Sequence, residues 1–240
     1  TRGGGVLSYG ASILGSLRPP AVGTTGIVAT PDGAGYWLYT TAGHVRGFGS
    51  ARFFGARDHQ KVGIAALTPL PDGRGYWLVS RTGRVFAFGR AQSYGGLNAQ
   101  RPNASIVAID ATPSGLGYQL FASDGTVYAF GDAAAMSSSD LAADVVDGVS
   151  RDLGGSWEVT ASGRVIAVGD APFLGGLADK DVASPVVGIE ATADGGGYWL
   201  VNAVGRVWAF GDANNAGDPG SHAPAVERAP VGTRPASVND

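Results

Sequence analysis

Five stretches of this chain repeat one phrase: GYWLYT (35–40), GYWLVS (75–80), GYQLFA (117–122), GSWEVT (155–160) and GYWLVN (197–202). Their third residues, Trp37, Trp77, Gln119, Trp157 and Trp199, are spaced by 40, 42, 38 and 42 residues. A second word, V-x-x-φ-G, ends at Gly10, Gly49, Gly89, Gly131, Gly169 and Gly211, at intervals of 39, 40, 42, 38 and 42. Two independent words that keep the same phase define an array of units of about 40 residues.

Each unit reads as short strands. A β-branched run such as VVGIEAT (186–192) meets a turn built on Asp-Gly, as in TPDG (30–33) and LPDG (70–73). Asp-Gly between apolar runs is a hairpin signal, because Gly accepts φ > 0 without steric cost. YWLV follows, then a second turn at a Gly, then the VxAFG word. A looser fourth piece closes the unit, such as SYGGL (93–97) or FLGGL (173–177). No 3.6-residue periodicity is sustained. Four short antiparallel strands per unit of about 40 residues predict an all-β fold, a β-propeller of four-stranded blades. In YWLV, Tyr and Leu point to one face and Trp and Val to the other. Both faces are apolar because each meets a neighbouring blade. Five complete periods predict five blades. The sixth V-x-x-φ-G word, and the C-terminal RAPVGTRPASV that resembles the first strand of a further unit, leave six possible. The ring is expected to be closed by the N-terminal strands within Val6–Leu17, which would remove sheet edges. Residues 1–215 form the repeat domain on this reading, and 216–240 a Pro/Ala-rich tail or a truncated repeat.

GYWLVSRTGRVFAFG (75–89) and GDAPFLGG (169–176) resemble a family of actinobacterial extracellular repeats of the form GYWLVxxDGxVFxFGDAxFYG. The resemblance covers roughly residues 6–215. It implies a propeller and a secreted or cell-surface location, and it implies no settled activity. A weaker similarity, to the chromatin-associated guanine-nucleotide exchange propeller repeats, lacks their longer unit and G-Q-L-G ending.

Composition narrows the function. Net charge is −3 with no basic block, which argues against nucleic-acid partners. No apolar run approaches the ~18 residues of a spanning helix, so direct membrane insertion is not expected. With no Cys there is neither a thiolate metal site nor a Cys nucleophile. The G-x-S-x-G, H-E-x-x-H, S-x-x-K, P-loop and EF-hand words are absent, and no cofactor is expected. His44, His59 and His222 fall in different units, as scattered loop residues do. The Asp of the GD-A word recurs at Asp132, Asp170 and Asp212, and is replaced by Ser50 and Arg90. A residue repeated once per unit usually serves the unit, here by capping a turn. A ring of these carboxylates holding calcium is the weaker reading.

The departures from the repeat carry more information. Trp becomes Gln119 in unit three, while Tyr and Leu become Ser156 and Glu158 in unit four. Ser156 and Glu158 share one strand face, and an apolar interface does not accept an unpaired carboxylate. Drift in a redundant repeat, pairing of Glu158 with Arg151 or Arg164, and a polar binding niche are the alternatives. Aromatic residues on the loops, Phe53, Phe54, Tyr94 and Phe173, are candidates for a site repeated blade by blade, because flat rings stack on sugars and partner side chains. The chain therefore reads as a non-catalytic binding or scaffolding propeller. Its expected partner is cell-wall or extracellular glycan, or a surface protein. The alternatives are a hydrolase or lyase with a composite Asp/Glu site at the mouth of the propeller, and a structural subunit of a larger surface assembly.

Overall fold

The structure is a computed structural model, which describes residues 6, 13–17, 23–57, 63–97, 102–135, 144–151, 154–178, 180 and 182–214. Blade 1 comprises β1 (Thr24–Ala29), β2 (Gly35–Thr40) and β3 (Val45–Gly49). Blade 2 comprises β4 (Ile64–Pro69), β5 (Gly75–Ser80) and β6 (Val85–Gly89). Blade 3 comprises β7 (Ile106–Ala111), β8 (Gly117–Ala122) and β9 (Val127–Gly131). Blade 4 comprises β10 (Val145–Ser150), β11 (Ser156–Thr160) and β12 (Val165–Val168). Blade 5 comprises β13 (Val186–Ala191), β14 (Gly197–Asn202) and β15 (Val207–Gly211). The described fold is thus all-β, with five antiparallel sheets whose strands follow chain order.

The turns explain the recurring glycines. Gly131 ends β9 at φ +71, and a Cβ there would lie 2.1 Å from the Leu116 carbonyl oxygen. A left-handed backbone pressed against a carbonyl admits no side chain. The first strand of every blade carries a bulge after its first residue, as between Thr24 and Gly26 or Val186 and Gly188. One extra residue at the same place in five sheets gives each the same local bend and twist.

The first strands line the inside of the array. β1 packs on β4, β4 on β7, β7 on β10 and β10 on β13. Each blade has a leading face toward its predecessor and a trailing face toward its successor. As the alternation requires, Tyr118 and Leu120 of blade 3 meet Trp77 and Val79 of blade 2 in one apolar cluster. Blades 1 and 2, and blades 4 and 5, repeat that contact.

Two expectations need correction. Among the described residues each blade has three strands, not four. The fourth pieces, as in 91–97 and 171–177, run outside any ladder. Gly95 and Gly175 sit at φ +123 and +129, which breaks the alternation a ladder needs. The pieces are held instead by single bonds, such as Leu97 N–H to the Gly83 carbonyl at 2.9 Å and Leu177 N–H to the Gly163 carbonyl at 2.8 Å. The second correction concerns closure. Residues 13–17 form no strand, and dock on blade 1, where Gly15 N–H donates to the Tyr36 hydroxyl at 2.9 Å and Phe48 covers Gly15. The rest of the expected closing segment, residues 7–12, and the C-terminal 216–240 lie outside the described residues.

Candidate functional site: the joint between blades 3 and 4

Three blade joints share one construction. The trailing Trp meets the leading Tyr of the next blade: Trp37 and Tyr76 at 5.7 Å between ring centroids, Trp77 and Tyr118 at 5.3 Å, Trp157 and Tyr198 at 4.9 Å. Each Trp Nε1–H donates to the carbonyl fifteen residues on, those of Arg52, Gln92 and Pro172. Each Tyr hydroxyl donates to a carbonyl of the preceding fourth piece, those of Gly55, Gly95 and Gly175. The aromatic pair fills the wedge and the polar tips tie down the loop above it.

The joint between blades 3 and 4 replaces both rings at once. Gln119 stands in the Trp position and Ser156 in the Tyr position, both buried. Gln119 keeps the donor role: its Nε2–H donates to the Ala134 carbonyl at 3.0 Å, again fifteen residues on. Its Oε1 accepts from Ser150 Oγ across the joint at 2.8 Å. The main-chain N–H of Ser150 donates to Asp110 Oδ2 at 2.8 Å. Room is redistributed as well. Phe121 occupies the trailing position held by Val79 and Val159 elsewhere, and Gly148 stands opposite, where a Cβ would lie 2.6 Å from the Phe121 ring.

Glu158 is the exception within this set. It pairs in register with Gly148 and Ile166, has 0% of its surface exposed, and neither carboxyl oxygen has a hydrogen-bond partner among the described residues. Burial pushes its carboxyl up to about 7, and the charge of Asp124 adds to the rise. The expected Arg151 partner is engaged elsewhere. Its guanidinium lies over Trp157 at 5.1 Å and its Nε–H donates to the Gly195 carbonyl at 2.9 Å.

The structure brings Gln119, Ser156 and Glu158 into this one joint. It separates the four loop aromatics. Phe53 and Phe173 occupy equivalent positions and are 60% and 64% exposed. Phe54 and Tyr94 turn inward, Phe54 onto Tyr76 at 5.7 Å and Tyr94 onto Tyr118 at 6.0 Å. Asp132 and Asp212 accept hydroxyl bonds from Thr112 and Thr192 of their own blades, joining the two turns at one end. The hydroxyls of Ser114 and Thr112 hold the Asp132 carboxyl below its ordinary value. The Asp170 carbonyl accepts from Arg151 at 3.2 Å. Among the described residues no three His, Cys, Asp or Glu side chains form a metal-binding group. His59 and His222 lie outside the described residues.

Sequence reasoning missed a second set of acids, on the trailing side of the inner strands. Asp147 Oδ2 accepts the Ile189 N–H of blade 5 at 3.0 Å, as Asp110 accepts that of Ser150 in blade 4. Burial pushes Asp147 up to about 7, with a contribution from Asp110. Glu190 is exposed, and desolvation together with the charges of Asp110 and Asp147 pushes its carboxyl up to about 7. The signal was available as acids inside otherwise apolar first-strand words, IVAID, VVDGV and VVGIE.

No family model and no curated protein matches this chain. Among solved structures it is similar to the crystal structure of the Cps50 (Swd1) β-propeller domain of Myceliophteria thermophila, with a TM-score of 0.54 and 13% identity over 80% of this chain. The match spans about two-thirds, 66%, of that domain. The likeness is one of fold, and the fold is that of a β-propeller.

Proposed function

We propose that this chain is a non-catalytic binding or scaffolding propeller of the extracellular surface, with its selective contact at the joint between blades 3 and 4. One observation carries the reading: the three departures from the repeat meet in a single wedge, where a buried carboxylate lacks a partner among the described residues. A buried acceptor without a donor favours any ligand that supplies one, and because Glu158 is fully enclosed, the joint must open to admit that ligand. Glycan hydroxyls and the polar side chains of a surface protein both do so. Phe53 and Phe173 add exposed rings at equivalent positions of two blades, suited to stacking. The resemblance to extracellular repeats supports the location.

Glycan-array binding and pull-down from cell-surface extract test the reading. Glu158→Gln keeps the shape and removes the charge, and it should weaken capture more than tenfold. Loss on Phe53→Ala with Phe173→Ala, and none on Glu158→Gln, would move the site to the blade loops. Turnover of a polysaccharide or ester that disappears with Glu158→Gln or Glu190→Gln would replace this reading with a hydrolase or lyase.

A further inference from the structure

Residues that are equivalent by repeat differ in burial at the two ends of the array. Ile27, on the leading face of blade 1, is 52% exposed, whereas Leu67, Ile109 and Ile189 are 4%, 5% and 5% exposed. On the trailing face of blade 5, Val187 is 50% exposed, against 8% for Ala65. Trp199 is half-buried there, where Trp37, Trp77 and Trp157 are all at 0%. Among the described residues, β13 and β1 lack the extensive packing that joins the other inner strands in sequence.

The blade 5 face has the same chemistry as the closed joints. It offers a Trp whose Nε1–H is already tied to the Asn214 carbonyl at 2.8 Å, leaving the ring face for an aromatic partner. It also offers Glu190 in the register position of Asp110, each opposite the third residue of the GYWL word. Asp110 uses that position to accept a main-chain N–H from the next inner strand. Blade 1 offers the reciprocal Tyr36, whose hydroxyl already holds a fourth piece at Gly15. The matched propeller domain, moreover, has about a third of its length with no counterpart in this chain.

We infer that the gap between blades 5 and 1 is a docking site for further blades of the same repeat, carried on polypeptide outside residues 1–240. The first such blade sets a leading Tyr against Trp199, an apolar residue against Val187 and an inner-strand N–H against Glu190. The last sets a trailing Trp against Tyr36 and Ile27. This is independent of the ligand proposed for the joint between blades 3 and 4.

Asp212 is in phase with Ser50 and Arg90, so a copy of residues 51–90 inserted between Asp212 and Ala213 adds one complete unit, and two copies add two. Hydrogen exchange of the Val186–Ala191 amides, melting temperature and sedimentation are compared with the 240-residue chain. The inference expects at least one extended chain to be monomeric, to melt higher, and to slow exchange in β13 at least tenfold. Unchanged exchange in both overturns it. Two other outcomes also overturn it by naming a different occupant. Self-association of the 240-residue chain that is abolished by Trp199→Glu assigns the face to a second copy. Faster β13 exchange on truncation after Asn214 assigns it to the chain's own C-terminal residues.

Discussion

Glu158 occupies a position where Leu38, Leu78, Leu120 and Leu200 serve the other blades. Its raised pKa has a definite consequence for stability. The folded state holds the proton up to about pH 7, and the unfolded chain releases it near the ordinary Glu value. Between those values the folded state binds more protons, so stability falls as pH rises through that window and levels off above it. Asp147 and Glu190, also raised to about 7, act in the same direction. Thermal melts should therefore give a higher midpoint at pH 5 than at pH 8, and Glu158→Gln should reduce the difference. Glu158→Leu restores the repeat residue and removes a buried carboxylate, and should stabilise the fold at pH 8 by about 1–3 kcal/mol in denaturant unfolding. The sequence exposed Glu158 as anomalous, because a carboxylate interrupted an apolar word. It did not reveal that Gln119 is chemically ordinary here. Only the carbonyl of Ala134, fifteen residues away, shows that the amide substitutes for an indole N–H.

Single strands matter less in this molecule than the faces they present to one another. Trp77 is fully enclosed and Trp199 is not. Trp77→Ala should cost roughly 3–5 kcal/mol, and Trp199→Ala distinctly less, in matched chemical denaturation. Gln119→Trp and Ser156→Tyr each place a ring against a polar neighbour, whereas together they rebuild the aromatic pair of the other joints. The double variant should be more stable than the sum of the singles by about 0.5–1.5 kcal/mol in a double-mutant cycle. The three strands of each blade and the alternation of their faces were legible because period-2 patterning and Asp-Gly turns are local signals. The fourth strand was misread because apolar residues such as Phe54, Tyr94 and Leu174 look alike whether they pair in a ladder or plug a joint. What decides between these is the φ of the following glycine, which composition does not encode.

At the scale of the whole molecule, unit length and phase made the propeller readable, while closure depended on contacts far apart in the chain. Residues 13–17 cover Tyr36 and Phe48 of blade 1 in the way that the segment around Gly55 covers Tyr76 and Phe88 of blade 2. Deleting residues 1–17 should uncover that face, lower the melting temperature, and speed hydrogen exchange in β2 and β3 ahead of blades 4 and 5. Equal exchange in all blades would show that the segment holds nothing in place. The unusual joint has a consequence for assembly. A chain that repeats one phrase risks docking the wrong neighbours, since any Trp face fits any Tyr face. Gln119 and Phe121 are cut to fit Ser150 and Gly148, and blade 4's leading Ser156 and Glu158 offer a poor seat to any Trp. The mismatch acts as an address within otherwise interchangeable text, fixing which unit is third and which is fourth while the chain is still choosing its partners.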